Sequence, residues 1–218
     1  MNEQWKSLFD GTSMRNWKII NWTEGVAIRD HEFACHMVRN TTTTTTEHSF
    51  LCTEEKFSDF ILELEVKLDG DSHSGILLRC IDAPPEAKVR VYGYQVKFDP
   101  TPRKWSGGIF DDFGDTWKWY YDLSTDERAR NAFILNEWNH FRIEAIGITL
   151  KVWVNNIPVT HLIHAKYSNG YIAFKMHALG NESEKEKALV HFKNIRVCTE
   201  KPELSALEMD IAGQGVAE

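Results

Sequence analysis

No run of apolar residues in this chain approaches the roughly 18 that a membrane-spanning helix needs, which excludes a helical membrane protein. The opening Met1-Asn2-Glu3-Gln4-Trp5 lacks the basic and apolar regions of a secretory leader, so the chain as it stands reads as cytoplasmic. Removal of a leader would make it periplasmic or secreted. Basic residues are in the minority: 25 Lys and Arg stand against 32 Asp and Glu, a formal charge of −7. That balance argues against a nucleic-acid partner and against docking on an anionic membrane. Cysteine is scarce and scattered, at Cys35, Cys52, Cys80 and Cys198, with no C-x-x-C pair to form a zinc ribbon or redox motif. Cys52 and Cys80 fall in apolar strand patterns and read as small core residues with reduced thiols. The chain also lacks a nucleophile elbow, a phosphate loop, a dinucleotide glycine fingerprint and an H-E-x-x-H metal motif. Asp111, Asp112 and Asp115 cluster beside Gly114, but without calcium-hand spacing they read as a solvated turn. No pair of carboxylates declares itself as acid and nucleophile of a conventional glycosidase.

What is present is period-2 alternation. Leu62, Leu64, Val66 and Leu68 share one face of the segment Asp59–Asp69, and Ile61, Glu63, Glu65 and Lys67 the other. Trp138–Ala145 and Thr149–Asn155 alternate in the same way, and the short Gly147-Ile148 link joins them as a hairpin. Asn155-Asn156 is a second turn, because Asn tolerates positive φ. Gly75–Ile81, Tyr92–Phe98, Gly170–His177, Leu189–Val197, Val26–Arg29 and Glu32–Val38 complete the predicted strands. One helix is expected within Thr125–Ala132, with Ser124 as N-cap and Glu127 closing a capping box. Many short strands with almost no helical periodicity predict an all-β antiparallel sandwich. Residues 1–200 are read as one domain and 201–218 as a tail with a weak helical stripe at Leu204, Leu207 and Ile211. Thr41–Thr46, six threonines in a row, reads as an exposed strand or loop.

Four places carry chemistry. Gln95, Lys97 and Asp99 point to one side of a strand whose other side is Tyr94, Val96 and Phe98. Lys175 and His177 share a face with Ala173, and a histidine there is a candidate base or metal ligand. Arg79 lies in an otherwise apolar strand near His73, so it needs a partner: a structural carboxylate or a ligand oxygen. Trp105, Trp117 and Trp119 lie in a stretch rich in rings, which either pack a long loop or are offered to a sugar face.

Taken in order, short motifs resemble one family. Leu8-Phe9-Asp10-Gly11-Thr12-Ser13-Met14-Arg15-Asn16-Trp17 resembles its "LFDGxxLxGW" opening, and Phe57–Leu62 resembles "fxDFxL". Ser74-Gly75-Ile76 with Arg79 resembles "nSGIxxR", Gly93–Asp99 resembles "GYEvQixD", and Glu137-Trp138-Asn139 resembles "eWN". Val154-Asn155-Asn156 resembles "lNG", Gly170–Ala173 with His177 resembles "GyIaLQxH", and Phe192–Ile195 resembles "frNI". The chain is thereby similar, over about residues 5–198, to the 3-keto-disaccharide hydrolase domain family. The resemblance implies a concanavalin A-like jelly-roll sandwich acting on glycosides already oxidised at carbon 3 by a separate sugar 3-dehydrogenase. A ketone at carbon 3 acidifies the carbon-2 proton; a base removes it, the enolate expels the carbon-1 substituent, and water adds back. Three positions depart from the pattern: Gln95 replaces Glu, Lys97 replaces Gln, and Lys175 replaces Gln.

The expectation is therefore a glycoside hydrolase or lyase working at a concave sheet face. His177 or Asp99 would be the base, Lys97 or Lys175 would stabilise the enolate, and Arg79, Gln95, His73, Trp105, Trp117 and Trp119 would bind substrate. The chemistry needs no cofactor, although His73, His177 and Asp99 could hold a divalent ion. The rival expectations are a noncatalytic carbohydrate-binding module on the same fold, favoured by Gln95, and an interaction sandwich with no ligand.

Overall fold

A computed structural model describes residues 4–21, 25–36, 48–70, 73–84, 91–111, 118–177, 188–200 and 202–205. The strands follow in chain order as β1 (Trp5–Ser7), β2 (Trp17–Ile20), β3 (Val26–Arg29), β4 (Glu32–His36), β5 (Ser49–Thr53), β6 (Phe60–Leu68), β7 (Ser74–Asp82) and β8 (Val91–Phe98). After them come β9 (Ile109–Asp111), β10 (Lys118–Tyr121), the short helix α1 (Glu127–Arg130), β11 (Asn139–Ile146), β12 (Thr149–Val154), β13 (Ile157–Ile163), β14 (Tyr171–Met176) and β15 (Leu189–Cys198). One sheet runs β13-β12-β11-β6-β15-β4-β3, with β1 also on β15; the other runs β10-β9-β8-β7-β14-β5-β2. Every pairing is antiparallel.

Alternation explains the stacking. Leu62, Leu64 and Val66 of β6, Phe141 and Ile143 of β11 and Phe192 of β15 face Ile76, Val96 and Phe174 of the second sheet across one apolar core. Phe174 and Phe192 stack across the layer with ring centroids 4.1 Å apart. The β11–β12 hairpin turns at Gly147 (φ 55°), and Asn155 and Asn156 (φ 51° and 63°) turn β12 into β13.

The helix N-cap is Asp126 rather than Ser124. Asp126 Oδ1 accepts the Ala129 amide at 2.9 Å, while the Ser124 amide and hydroxyl are both given to Asp122 Oδ1. β4 ends at His36. The Thr41–Thr46 run, Trp117, the acidic residues Asp112 and Asp115, and the tail positions Leu207 and Ile211 lie outside the described residues. Ser205 lies on the outer face of the first sheet, where its amide and hydroxyl are given to Glu144 and its carbonyl accepts Lys151 Nζ at 2.7 Å. Among the described residues no helix is long and apolar enough to cross a membrane.

Candidate functional site

The second sheet has one face in the core, and the site forms on the other. Cross-strand register lays two rows of side chains over that outer face. In one row Lys97 of β8 is opposite Gly75 of β7, Gly75 is opposite Lys175 of β14, and Lys175 is opposite Phe50 of β5. In the next row Trp119, Phe110, Gln95, Leu77, Ala173 and Cys52 succeed one another from β10 to β5. Period-2 alternation forces this arrangement, since the residues between them, such as Val96, Ile76 and Phe174, are committed to the core.

Gly75 makes the two rows one site. A Cβ there would lie 2.4 Å from Gln95 Nε2 and 2.8 Å from Gln95 Cγ, so only glycine lets the Gln95 side chain lie across β7 between the two lysines. Gln95 is fully buried; its Nε2 donates to Ser74 O at 3.4 Å, and its Oε1 has no hydrogen-bond partner. A buried acceptor left unpaired costs on the order of 1–3 kcal/mol, a cost a ligand donor would remove.

Basic groups converge at the end of the lysine row. Lys97 Nζ is 3.2 Å from His177 Nε2, and the His177 ring lies 4.5 Å from that of His48 and 6.0 Å from that of His73. Lys97 is 9% exposed and Lys175 1% exposed, whereas the three histidines are partly open to solvent. Burial lowers Lys97 to about 8, with Asp99 opposing and Arg103 adding to the shift. Burial, and then the Lys97 charge, hold Lys175 well below the ordinary lysine value. His177 is held well below the usual imidazole value by burial first, then by Lys175 and Lys97; His48 falls to about 2 for the same reasons. His177 and His48 are thus neutral near pH 7, and with its proton on Nδ1 a neutral His177 accepts from Lys97 at Nε2. Neither Lys97 nor His177 forms an ion pair among the described residues.

Aromatic rings border the other end. Trp105 and Trp119 meet edge to face at 5.1 Å, Phe110 is 5.1 Å from Trp119, and the Arg103 guanidinium lies over both indoles at 4.6 and 5.1 Å. Both indoles are partly exposed, which suits rings on which the apolar face of a sugar can stack.

The structure therefore brings together Gln95, Lys97, Lys175, His177, His73, Trp105 and Trp119, and adds His48, which sequence reasoning missed. His48 immediately precedes β5, whose five residues are all buried and show no alternation to reveal a face. Two expected site residues are placed elsewhere. A bulge breaks the β7 register between Leu78 and Ile81, puts Arg79 at φ 49° and turns its side chain away from Leu77 and Gly75. Its five N–H donors go to Ser58 O, Gly147 O, Tyr167 O, Ala145 O and Asp59 Oδ1, so none remains for a sugar oxygen. Asp99 is spent in the loop after β8. Its oxygens accept from the Thr101 amide and hydroxyl, Arg103 Nε at 2.7 Å and the Trp105 amide. Burial raises its carboxyl, but the Arg103 and Thr101 bonds outweigh that and leave it below the usual range, which makes it a poor base. It lines a separate cleft of about 590 Å³ with Ser106, Arg130, Phe133 and Ile134. Among the described residues no three His, Cys, Asp or Glu side chains are grouped to hold a metal ion.

No curated protein sequence matches the chain. Solved structures do match, at identities that show the fold alone. A putative glycosyl hydrolase from Parabacteroides distasonis aligns with a TM-score of 0.63 at 15% identity, covering 90% of this chain and 94% of that one. The carbohydrate-binding module CBM66 from Bacillus subtilis aligns at 0.58 and 16%, covering 83% and 94%. A Bacillus licheniformis beta-glucanase aligns at 0.57 and 9%, covering 92% and 99%. The sandwich is thus the concanavalin A-like jelly roll of glucanases and carbohydrate-binding modules. Residues 4–198, nearly the whole described sandwich, match the family described as the 3-keto-alpha-glucoside-1,2-lyase-like domain, and the chain belongs to that family.

Proposed function

We propose that the outer face of the second sheet binds a glycoside oxidised at carbon 3 and cleaves its glycosidic bond by elimination and hydration. The observation that carries this reading is the part-buried Lys97–His177 pair, 3.2 Å apart, with Lys175 across Gly75. Elimination next to a ketone needs a neutral base close to positive charge, and not the two spaced carboxylates of a conventional glycosidase. His177 is the base for the carbon-2 proton, and the imidazolium it becomes protonates the leaving oxygen. Lys97 supplies positive charge where the carbon-3 oxygen becomes an enolate, with Lys175 beside it across Gly75. Trp105 and Trp119 stack the ring, and Gln95 Oε1 accepts a sugar hydroxyl. The route consumes no cofactor, and its substrate must come from a reaction that oxidises carbon 3, such as that of a sugar 3-dehydrogenase.

The test is aglycone release from a 3-keto-glucoside. Replacing His177 with Ala should slow it by roughly 10²–10⁴-fold, the usual contribution of a general base. The pH profile has a definite sign. His177 acts in its neutral form and its value is pushed below 6.5, so its own protonation should slow release only below pH 6.5, apart from any change set by Lys97 near 8. A decline below pH 6.5 that persists in the His177→Ala variant would contradict the assignment. A second reading is favoured by Gln95 itself, an amide where the family motif has a carboxylate: a noncatalytic sugar-binding module. Tight binding of the keto-sugar with no release would select it.

A further inference from the structure

We propose that the Lys97 amine is a nucleophile toward the sugar ketone, forming an iminium at its carbonyl carbon, with His177 as the base that removes the proton from the adjacent carbon. This rests on the reading that the substrate carries a ketone at carbon 3, and it replaces charge near the carbonyl oxygen with a covalent bond at the carbon.

The geometry points to Lys97. Its Nζ lies 3.2 Å from His177 Nε2. Once Nζ is bonded to carbon 3, carbon 2 is two bonds from that nitrogen, which brings the carbon-2 hydrogen to the same imidazole nitrogen. The bond that now joins Lys97 to His177 thereby marks the path of the proton. Lys97 has no ion pair among the described residues that would hold it as an ammonium, and it is more open to solvent than Lys175, at 9% against 1%. Gly75 leaves the surface between the lysines without a side chain of its own, and Gln95 Oε1 waits there as an unpaired acceptor for a sugar or carbinolamine hydroxyl. Burial next to a second cationic group is how a lysine is kept partly unprotonated for Schiff-base work. With Lys97 at about 8, about a tenth of the amine is free at pH 7.

The steps balance. The Lys97 nitrogen attacks carbon 3, and the carbonyl oxygen takes up protons and leaves as water, giving C=N⁺. His177 takes the carbon-2 proton, and that electron pair forms the carbon-2–carbon-3 double bond of an enamine. The nitrogen lone pair re-forms C=N⁺ while the enamine pair shifts to carbon 1–carbon 2 and expels the carbon-1 oxygen, which takes the proton from His177. One water adds to carbon 1, carbon 2 regains a proton, and a second water releases the ketone and the free amine. Net, one water is consumed and nothing is oxidised or reduced.

Trapping tests this. The full chain is incubated with a 3-keto-glucoside, sodium cyanoborohydride is added, and intact mass and peptide mapping are measured beside aglycone release. The expected result is an adduct on Lys97 with the mass of the sugar less one oxygen. Lys97→Arg, which keeps the charge and removes the nucleophile, should abolish the adduct and slow release at least a hundredfold. An adduct on Lys97 without release supports the nucleophile while removing the elimination reading. Release without an adduct, or release by Lys97→Arg at the parent rate, overturns the nucleophile and leaves the elimination reading standing. Absence of both overturns both. The trap on the parent protein decides the question even if the variant fails to fold.

Discussion

At the scale of single residues, two side chains of similar appearance in the sequence have opposite fates. Lys97 and Arg79 are both cations in apolar strands, and both are buried. Arg79 spends all five donors on four carbonyls and one carboxylate, tying the second sheet to the start of β6 and the β11–β12 turn of the first. Lys97 bonds His177, inside the site. A lysine in place of Arg79 has only three donors and cannot satisfy the same carbonyls. Arg79→Lys should therefore cost roughly 3 kcal/mol or more in stability, read as a fall in Tm or in the urea midpoint, because the carbonyls left over stay buried. Sugar binding measured well below Tm should be unchanged; weakened binding with unchanged Tm would return Arg79 to the ligand. The sequence showed that Arg79 needed a partner but not which one, since the choice rests on a bulge in β7 and a left-handed φ that alternation does not encode.

At the scale of elements, the register of β8, β7 and β14 builds the site. A one-residue slip of β8 or β14 would send Lys97 or Lys175 into the core, and one of β7 would take Gly75 from between them. The bulge at Arg79 has its own support: a Cβ at Gly170 would come within 2.2 Å of Cys80 O and 2.4 Å of Arg79 C, so only glycine lets the chain entering β14 press against it. Gly75 has the parallel role for Gln95. Gly75→Ala should cost about 1–3 kcal/mol by overpacking and should lower sugar affinity by displacing Gln95. Adding Gln95→Ala should restore part of the stability and not the affinity, because Val96 O still lies 2.8 Å from the new Cβ. Full recovery of both would show that Gln95 does not contribute to binding. Strands with one polar face, such as β6, β11 and β12, were legible from alternation, and so were the Asn155-Asn156 turn and β3 to the residue. Four strands without it were missed: β5 is buried at every position, and β1, β9 and β10 are only three or four residues long. Missing β5 also hid His48.

At the scale of the whole molecule, the core between the two sheets commits half of each strand to packing, and the outer face of the second sheet carries the site beside a smaller apolar cluster that includes Phe50, Cys52, Leu77 and Ala173. The neighbouring folds include a glucanase and a carbohydrate-binding module, so the sandwich alone is compatible with cleavage or with binding. What distinguishes this chain is the content of that face: two buried lysines, three imidazoles and a buried amide with an unpaired acceptor, bordered by two indoles. The most direct measurement is heteronuclear NMR of the full chain titrated with a 3-keto-glucoside. The account predicts shifts concentrated at Gly75, Gln95, Lys97, Lys175, His177 and the Trp119 indole, with the Asp99–Ile134 cleft and the Glu144–Ser205 face unmoved. Shifts centred on that cleft or on the first sheet, with the lysine row silent, would contradict it.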